Sequence, residues 1–583
     1  MKRLVSSVLT LAMVLFLAGC SKKSEESTRA TKQTTASEAT TTESVTEETT
    51  TTESETEETT TTESETEETT TKESETEGST TESKSGDSGL ASYTISPDFK
   101  IHSDLQKVAY TIDHDDHVYG FVASAGDNKV ISLRKEFDLL TVNDDDKYSQ
   151  LWNSLDGIFN GTNVDFKDVY ENKLPSYVER SATDSLMLSS RAFVVRADSE
   201  VFSFVTCQNN NAGSDSSVTT IYKIFNYRTG DSMEYNLDDV VTDRAGFSKF
   251  FSEYISGAIK DDAYSASDLE TVKALAKKIS DPNQTVPFLL TYDGIFIIYT
   301  EDYAFKMFKI PAVYAGDYID MSLFGGTPES YVLQSDDYDH IIWDIDGDGT
   351  LDKISAVSET DEYDSLISFG ISVNGKVEKL PDSELDYSYM GLYKFYLMKT
   401  DDSFYIYAEL YPESSDAVIE VFKYDGTSFK HQKGFFGNLP NMHIDGFFFD
   451  PSNFTISHTS DIMGTGYVID HVSASGNDGL PKKIVNLGER FNTVATKQEL
   501  TVNKFSENGT PDGTATLPKE TVFSVTGIDL DNRTILCQYI DADESKNFYF
   551  ELKVDPAQDE NDYSLKYNGI EQNDLFLGLF YAG

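Results

Sequence analysis

The chain has 583 residues and carries 47 Lys and Arg against 100 Asp and Glu, a formal net charge of −53. That length excludes one ordinary domain. The charge excludes nucleic acid and anionic lipid as partners, and leaves cations, basic proteins and neutral glycans. Three Cys exclude a disulfide framework, and 36 Phe and 33 Tyr beside 14 Pro predict a strand-rich fold.

Residues 1–19 predict a signal peptide. Lys2 and Arg3 precede an apolar run over 4–17, shorter than a helix needs to span a bilayer. The run ends in Leu17-Ala18-Gly19-Cys20, which resembles the lipobox of bacterial lipoproteins. The resemblance implies cleavage before Cys20 and diacylglyceryl transfer to its thiol. Acyl chains on Cys20 would then anchor the protein to the outer face of the cytoplasmic membrane, its only membrane contact.

Residues 20–92 predict a disordered tether, almost entirely Thr, Ser, Glu and Lys with a ten-residue repeat from Thr41. Residues 21–90 hold nineteen acids and six bases, a net of −13. Too few apolar side chains are present to offset chain entropy. Seventy such residues reach about 230 Å when extended at about 3.3 Å each. The expected role is a stalk through the cell wall. With +2 in the signal peptide, the remainder of the chain carries −42.

Residues 93–332 predict an α+β domain with helices on an antiparallel sheet. Strands are expected at 105–112 and 118–123, joined by a tip at Asp113-His114-Asp115-Asp116-His117. The H-x-x-H spacing in that tip suits a metal, but without a third ligand nearby a solvated hairpin tip is the preferred reading. Tyr148, Leu151, Leu155 and Ile158 recur at helical spacing, as do Phe251, Tyr254 and Ile255 in 250–259. A third helix starts with the capping-box pattern Ser267-Asp268-Leu269-Glu270. Further strands are expected at 192–197, 201–207, 219–227, 288–292 and 295–299. Cys207 and Cys537 sit in separate apolar runs and read as two buried thiols.

Two blocks in this region carry a family resemblance. The first is Tyr222-Lys223-Ile224-Phe225-Asn226-Tyr227-Arg228-Thr229-Gly230-Asp231, with Leu237-Asp238-Asp239-Val240 shortly after. The second is Leu290-Thr291-Tyr292-Asp293-Gly294-Ile295-Phe296-Ile297-Ile298-Tyr299, then Val313-Tyr314-Ala315-Gly316-Asp317. They resemble the extracellular domain of RsiV-type anti-sigma factors, found also in PdaC-type peptidoglycan deacetylases. The resemblance implies an extracytoplasmic binding domain with lysozyme as ligand. Lysozymes of the animal type are basic, which matches the acidic charge. The sequence departs from the first family in showing neither a cytoplasmic segment nor a membrane-spanning helix. It departs from the second in lacking a deacetylase motif.

Residues 333–485 predict a β domain. Its clearest chemistry is Asp344-Ile345-Asp346-Gly347-Asp348-Gly349-Thr350-Leu351-Asp352. A hard Ca²⁺ ion takes six to eight oxygens. Asp344, Asp346, Asp348 and Asp352 offer carboxylates, Thr350 a backbone carbonyl, and the two glycines the curl. The flanks read as strands, and Ser355 stands where an EF-hand has Glu, so that reading fails. The motif resembles the calcium loops of FG-GAP and VCBS-type β repeats, and the ion is expected to be structural. Hairpins follow, turning at Asn374-Gly375 and Asp425-Gly426.

Residues 486–583 predict a small β domain, with strands at 498–503, 520–527, 534–540 and 547–554 around a loop rich in Gly, Asn, Asp and Thr. Residues 517–529 resemble bacterial Src-homology-3-like barrels. The expected whole is a lipid-anchored, non-enzymatic binding or sensing protein that captures lysozyme or another basic protein. The alternatives are a wall-associated adhesion or scaffold module that contacts peptidoglycan, and a wall- or glycan-processing enzyme. No Ser, Cys or zinc motif supports the last.

Overall fold

The computed structural model describes residues 93–583 except 123–129, 144–146, 160–185, 212–218, 260–264, 301–304, 362, 364, 382–388, 401–402, 413–415, 441–449, 475–477, 507–508, 540–545, 557–564, 580 and 582–583. Cys20 and the tether lie outside the described residues. The described residues all fall in one compact unit. No described helix is long and apolar enough to cross a membrane.

The first sheet runs in chain order: β1 (Tyr110–Val122), β2 (Val130–Val142), β3 (Leu186–Ala197), β4 (Val201–Asn211) and β5 (Thr219–Arg228). It is not purely antiparallel, because β2 and β3 pair in parallel. The cause lies in the intervening chain. A helix over 149–159, α1, separates the two strands, and parallel neighbours need such a crossover. Leu151 and Leu155 are wholly buried and Phe159 nearly so, against Phe137, Leu140, Phe202 and Phe204. The helical spacing read from Tyr148 to Ile158 is thus a core stripe.

The expected tip at 113–117 is a correction. These residues run through the middle of β1, Asp113 opposite Leu139 and His117 opposite Lys135. The chain makes no turn at these positions, so the premise of the H-x-x-H metal reading, two His brought together across a tight turn, is gone. The stabilising contact is across the sheet: His114 sits opposite Asp138, with Nδ1 2.6 Å from Oδ1. Local sequence does not display that partner.

Beyond the sheet come α2 (Arg244–Ala258) and α3 (Ser265–Ser280). Helix α2 starts earlier than its apolar stripe suggests, because Asp243 caps it by accepting from the Gly246 N–H at 3.0 Å. Phe247, Phe251, Tyr254 and Ile255 are fully buried, as are Val272 and Ile279 of α3. A three-stranded sheet follows, β6 (Phe288–Leu290), β7 (Gly294–Tyr299) and β8 (Lys306–Pro311). One core joins these helices and strands to residues as far as Phe429, so it runs across the boundary expected at 332/333.

The middle of the chain is two packed antiparallel sheets. One contains β9 (Tyr331–Gln334), β14 (Tyr389–Lys399), β15 (Phe404–Pro412), β16 (Val418–Tyr424) and β17 (Phe429–Phe436). The other contains β10 (His340–Trp343), β11 (Asp352–Thr360), β12 (Leu366–Val373) and β13 (Lys376–Lys379). Phe369 meets Phe422 between them with ring centroids 6.3 Å apart. Asn374 and Gly375 make the two-residue turn foreseen, both at positive φ (50° and 84°). The Asp425-Gly426 turn is longer than foreseen, because the Asp425 carboxylate accepts from the Thr427 and Ser428 N–H groups and closes a four-residue loop.

The last sheet brings together β18 (Phe454–Ser460), β19 (Gly466–Ser473), β20 (Lys482–Lys483), β21 (Gly488–Thr496), β22 (Leu500–Phe505), β23 (Pro511–Leu517), β24 (Val522–Asp529), β25 (Thr534–Tyr539) and β26 (Phe548–Lys553). The small closed barrel is the second correction. The described strands pair in the open order β18-β19-β21-β24-β25-β26-β22-β23. Ile469 of β19 pairs with Glu489 of β21, so the sheet crosses the boundary expected at 485/486. Strands from both sides of that position complete one hydrogen-bonded surface instead of curling a short segment on itself.

Candidate metal centre

The loop over 344–351 joins β10 to β11. The chain enters it from a buried strand: Ile341, Ile342 and Trp343 face the core, and Trp343 is fully buried. The Trp343 indole N–H donates to the Tyr331 hydroxyl at 2.8 Å. It leaves at Asp352, which pairs in register with Trp343. Strands on both sides agree with the rejection of an EF-hand. Ile345, 4% exposed, turns into the core, and Leu351 at the other end of the loop packs against it.

Between these anchors the loop closes on its own carboxylates. Asp344 accepts from the N–H groups of Gly347 at 2.7 Å and Gly349 at 2.9 Å. Asp346 accepts from the Asp348 N–H at 3.1 Å, and Asp348 from the Thr350 N–H at 2.6 Å. Gly347 and Gly349 take φ of 75° and 84°, the left-handed region in which a side chain is disfavoured. The curl brings one oxygen each of Asp344, Asp346 and Asp348 within 4.8 Å of one another.

Asp352 plays a different part. Its Oδ2 accepts from the Ile345 N–H at 3.1 Å, and its Oδ1 from the Asn374 side-chain amide at 2.7 Å. It is 8% exposed and ties the base of the loop to the next hairpin. Nothing in the sequence flags Asn374 beyond its turn-forming pair with Gly375. Tyr424, at the end of β16, senses the same charge. Burial raises its pKa, and Asp346, Asp352, Asp425 and Asp348 raise it further.

Three carboxylates this close repel one another, and a cation removes that cost. Their all-oxygen character suits a hard divalent ion rather than a soft one. Among the described residues no His or Cys joins the group. The arrangement offers cation binding and loop stiffening, with neither a nucleophile nor an acid–base pair.

Cys207 and Cys537 are both free and buried. Burial pushes the Cys207 thiol up to about 11 and the Cys537 thiol well above its usual value. Neither is poised as a nucleophile at neutral pH.

No family model and no curated protein matches the chain. Two solved structures are similar to part of it. One is a DUF3298 family protein from Pseudomonas aeruginosa PAO1, at 13% identity, covering 37% of this chain and 96% of that one with a TM-score of 0.24. The other is a member of the DUF3298 family from Bacteroides fragilis, at 14% identity, covering 37% and 95% with a TM-score of 0.26.

Proposed function

We propose that the protein is a calcium-stapled, non-enzymatic receptor displayed at the bacterial surface for a basic extracellular protein. The observation that carries this reading is charge. Residues 91–583 hold a net of −42, a surplus that accelerates encounter with a basic partner and disfavours polyanions. Acylated Cys20 is the anchor, and residues 20–92 are the stalk. In this reading Asp344, Asp346 and Asp348 give carboxylate oxygens to Ca²⁺ and Thr350 a backbone carbonyl, while Asp352 braces the loop from its base. The ion stiffens the β10–β11 hairpin and does no chemistry. The FG-GAP/VCBS-type likeness of the loop belongs to this proposal. So does the RsiV-type likeness of residues 222–240 and 290–317, from which lysozyme is the first ligand to test.

The test is binding of the full chain to lysozyme with Ca²⁺ present, at low and physiological salt, beside an unrelated protein of equal positive charge. Selective binding that persists at physiological salt is expected. Equal binding to both proteins, lost as salt rises, would reduce the chain to a polyanion.

A further inference from the structure

We propose that the cleft between β5, the 234–239 turn and the 282–288 segment holds a basic peptide segment, with a lysine ammonium or arginine guanidinium set against Glu234. This rests on the receptor reading and adds where the partner is gripped.

The cleft has a volume of about 440 Å³, within the range of specific ligand pockets. Ile224, Phe288 and Tyr235 give it apolar and aromatic walls. Such walls suit the methylene stem of a long basic side chain. Tyr235 already attracts a cation, since the Arg228 guanidinium lies 5.4 Å from its ring centroid.

The polar inventory decides the class of ligand. Arg244, the one cation among the described residues of the cleft's lining, is spent. Arg244 gives Nε and Nη2 to Asp238 at 2.5 and 3.1 Å, and Nη1 to the carbonyls of Ile279, Asp281 and Gln284. The Asn226 amide donates to the Phe288 carbonyl at 2.7 Å, and the Asn283 amide to Asp281 at 3.1 Å. Acceptors remain open. Asp239 uses one oxygen, Oδ2, to accept from the Asn236 N–H at 2.9 Å. Glu234 makes neither an ion pair nor a side-chain hydrogen bond among the described residues. Partial burial raises its carboxyl and no cation offsets the shift, while the residue itself stays exposed at the mouth of the cleft, open to a ligand. With Asp238 neutralised by Arg244, the cleft keeps the charges of Glu234 and Asp239. A ligand rich in donors and positively charged satisfies both; a neutral or anionic one does not.

The experiment titrates the full chain with tri-arginine at physiological salt, using tri-citrulline as the uncharged isostere. Glu234→Gln is compared with Glu499→Gln, an exposed acid on a distant strand junction. The expected result is preference for tri-arginine, weakened about tenfold or more by E234Q and unchanged by E499Q. Equal affinity in E234Q, or equal loss in both variants, overturns the cleft. Lysozyme separates the two readings. Selective lysozyme binding that E234Q leaves intact overturns the cleft as the gripping site and keeps the receptor. Glu234-dependent tri-arginine binding without selective lysozyme binding supports the cleft and removes the receptor reading for that ligand.

Discussion

The Asn374 side-chain amide donates to Asp352 Oδ1 at 2.7 Å while its own oxygen accepts from the Lys353 N–H at 2.8 Å. The turn of one hairpin therefore clamps the base of the acidic loop in the preceding one. Asn374→Gly isolates this clamp, because Gly accepts the positive φ and only the amide is lost. Stability should fall by about 1–2 kcal/mol, and calcium affinity should fall with it. Urea denaturation with and without Ca²⁺ checks both. No change in either would leave Asn374 as a turn residue only.

A second clamp lies deep in the fold. Arg196 and Asp198 are both fully buried, with Nε 2.6 Å from Oδ2. Arg196 also donates to the carbonyls of Thr291 and Leu323, and Asp198 accepts from the N–H groups of Glu200 and Val201. Asp198→Ala strands a buried guanidinium and should cost about 3–5 kcal/mol. Adding Arg196→Met should cost clearly less than the sum of the single changes. Additive losses in the double-mutant cycle would contradict coupling of the pair.

The contact between the first and last sheets should depend on pH. Burial opposes the charged form of His114, but the hydrogen bond and charge of Asp138 outweigh it, and its pKa lies above 6.5. Burial likewise opposes ionised Glu489, yet the hydrogen bond and charge of His471, with Arg191 and His114 beyond, hold it below 4.5. A raised His stabilises fully below its unfolded value of 6.5, and this is lost as pH climbs through the folded pKa. A depressed Glu stabilises above 4.5, and this is lost as pH falls through its folded pKa. Both contributions coexist between about 4.5 and 6.5. Thermal midpoints should peak in that window, and His114→Gln should flatten the decline on its alkaline side. An unchanged profile in the variant would remove His114 from the account.

Elements with a strong local signal were legible. The stripes of α1 and α3, the Asn374-Gly375 turn and the strands flanking Asp344–Asp352 all follow from spacing and turn chemistry alone. The failures share a cause, which is that partners distant in sequence decide the outcome. Residues 113–117 look like a tip because they are acidic, and β2 makes them a strand. The Thr- and Gly-rich segment at β23 looks like a loop, and pairing with β22 makes it an edge strand. In β18 and β19 polar positions conceal the alternation: His458 faces Asp470, whose carboxylate Lys483 also reaches at 3.0 Å. The acidic triplet could be named from sequence; the clamp by Asn374 and the open carboxylate of Glu234 could not, since both depend on contacts across hairpins or segments.

The central structural claim is that the loop from Asp344 to Asp352 is a divalent-cation site, and calcium titration calorimetry on the full chain tests it most directly. The account predicts one saturable site per chain, weakened at least about tenfold by Asp348→Asn, with a rise in thermal midpoint on loading that a chelator reverses. Absence of a saturable site at millimolar Ca²⁺, or binding indifferent to Asp344→Asn and Asp348→Asn together, would contradict it.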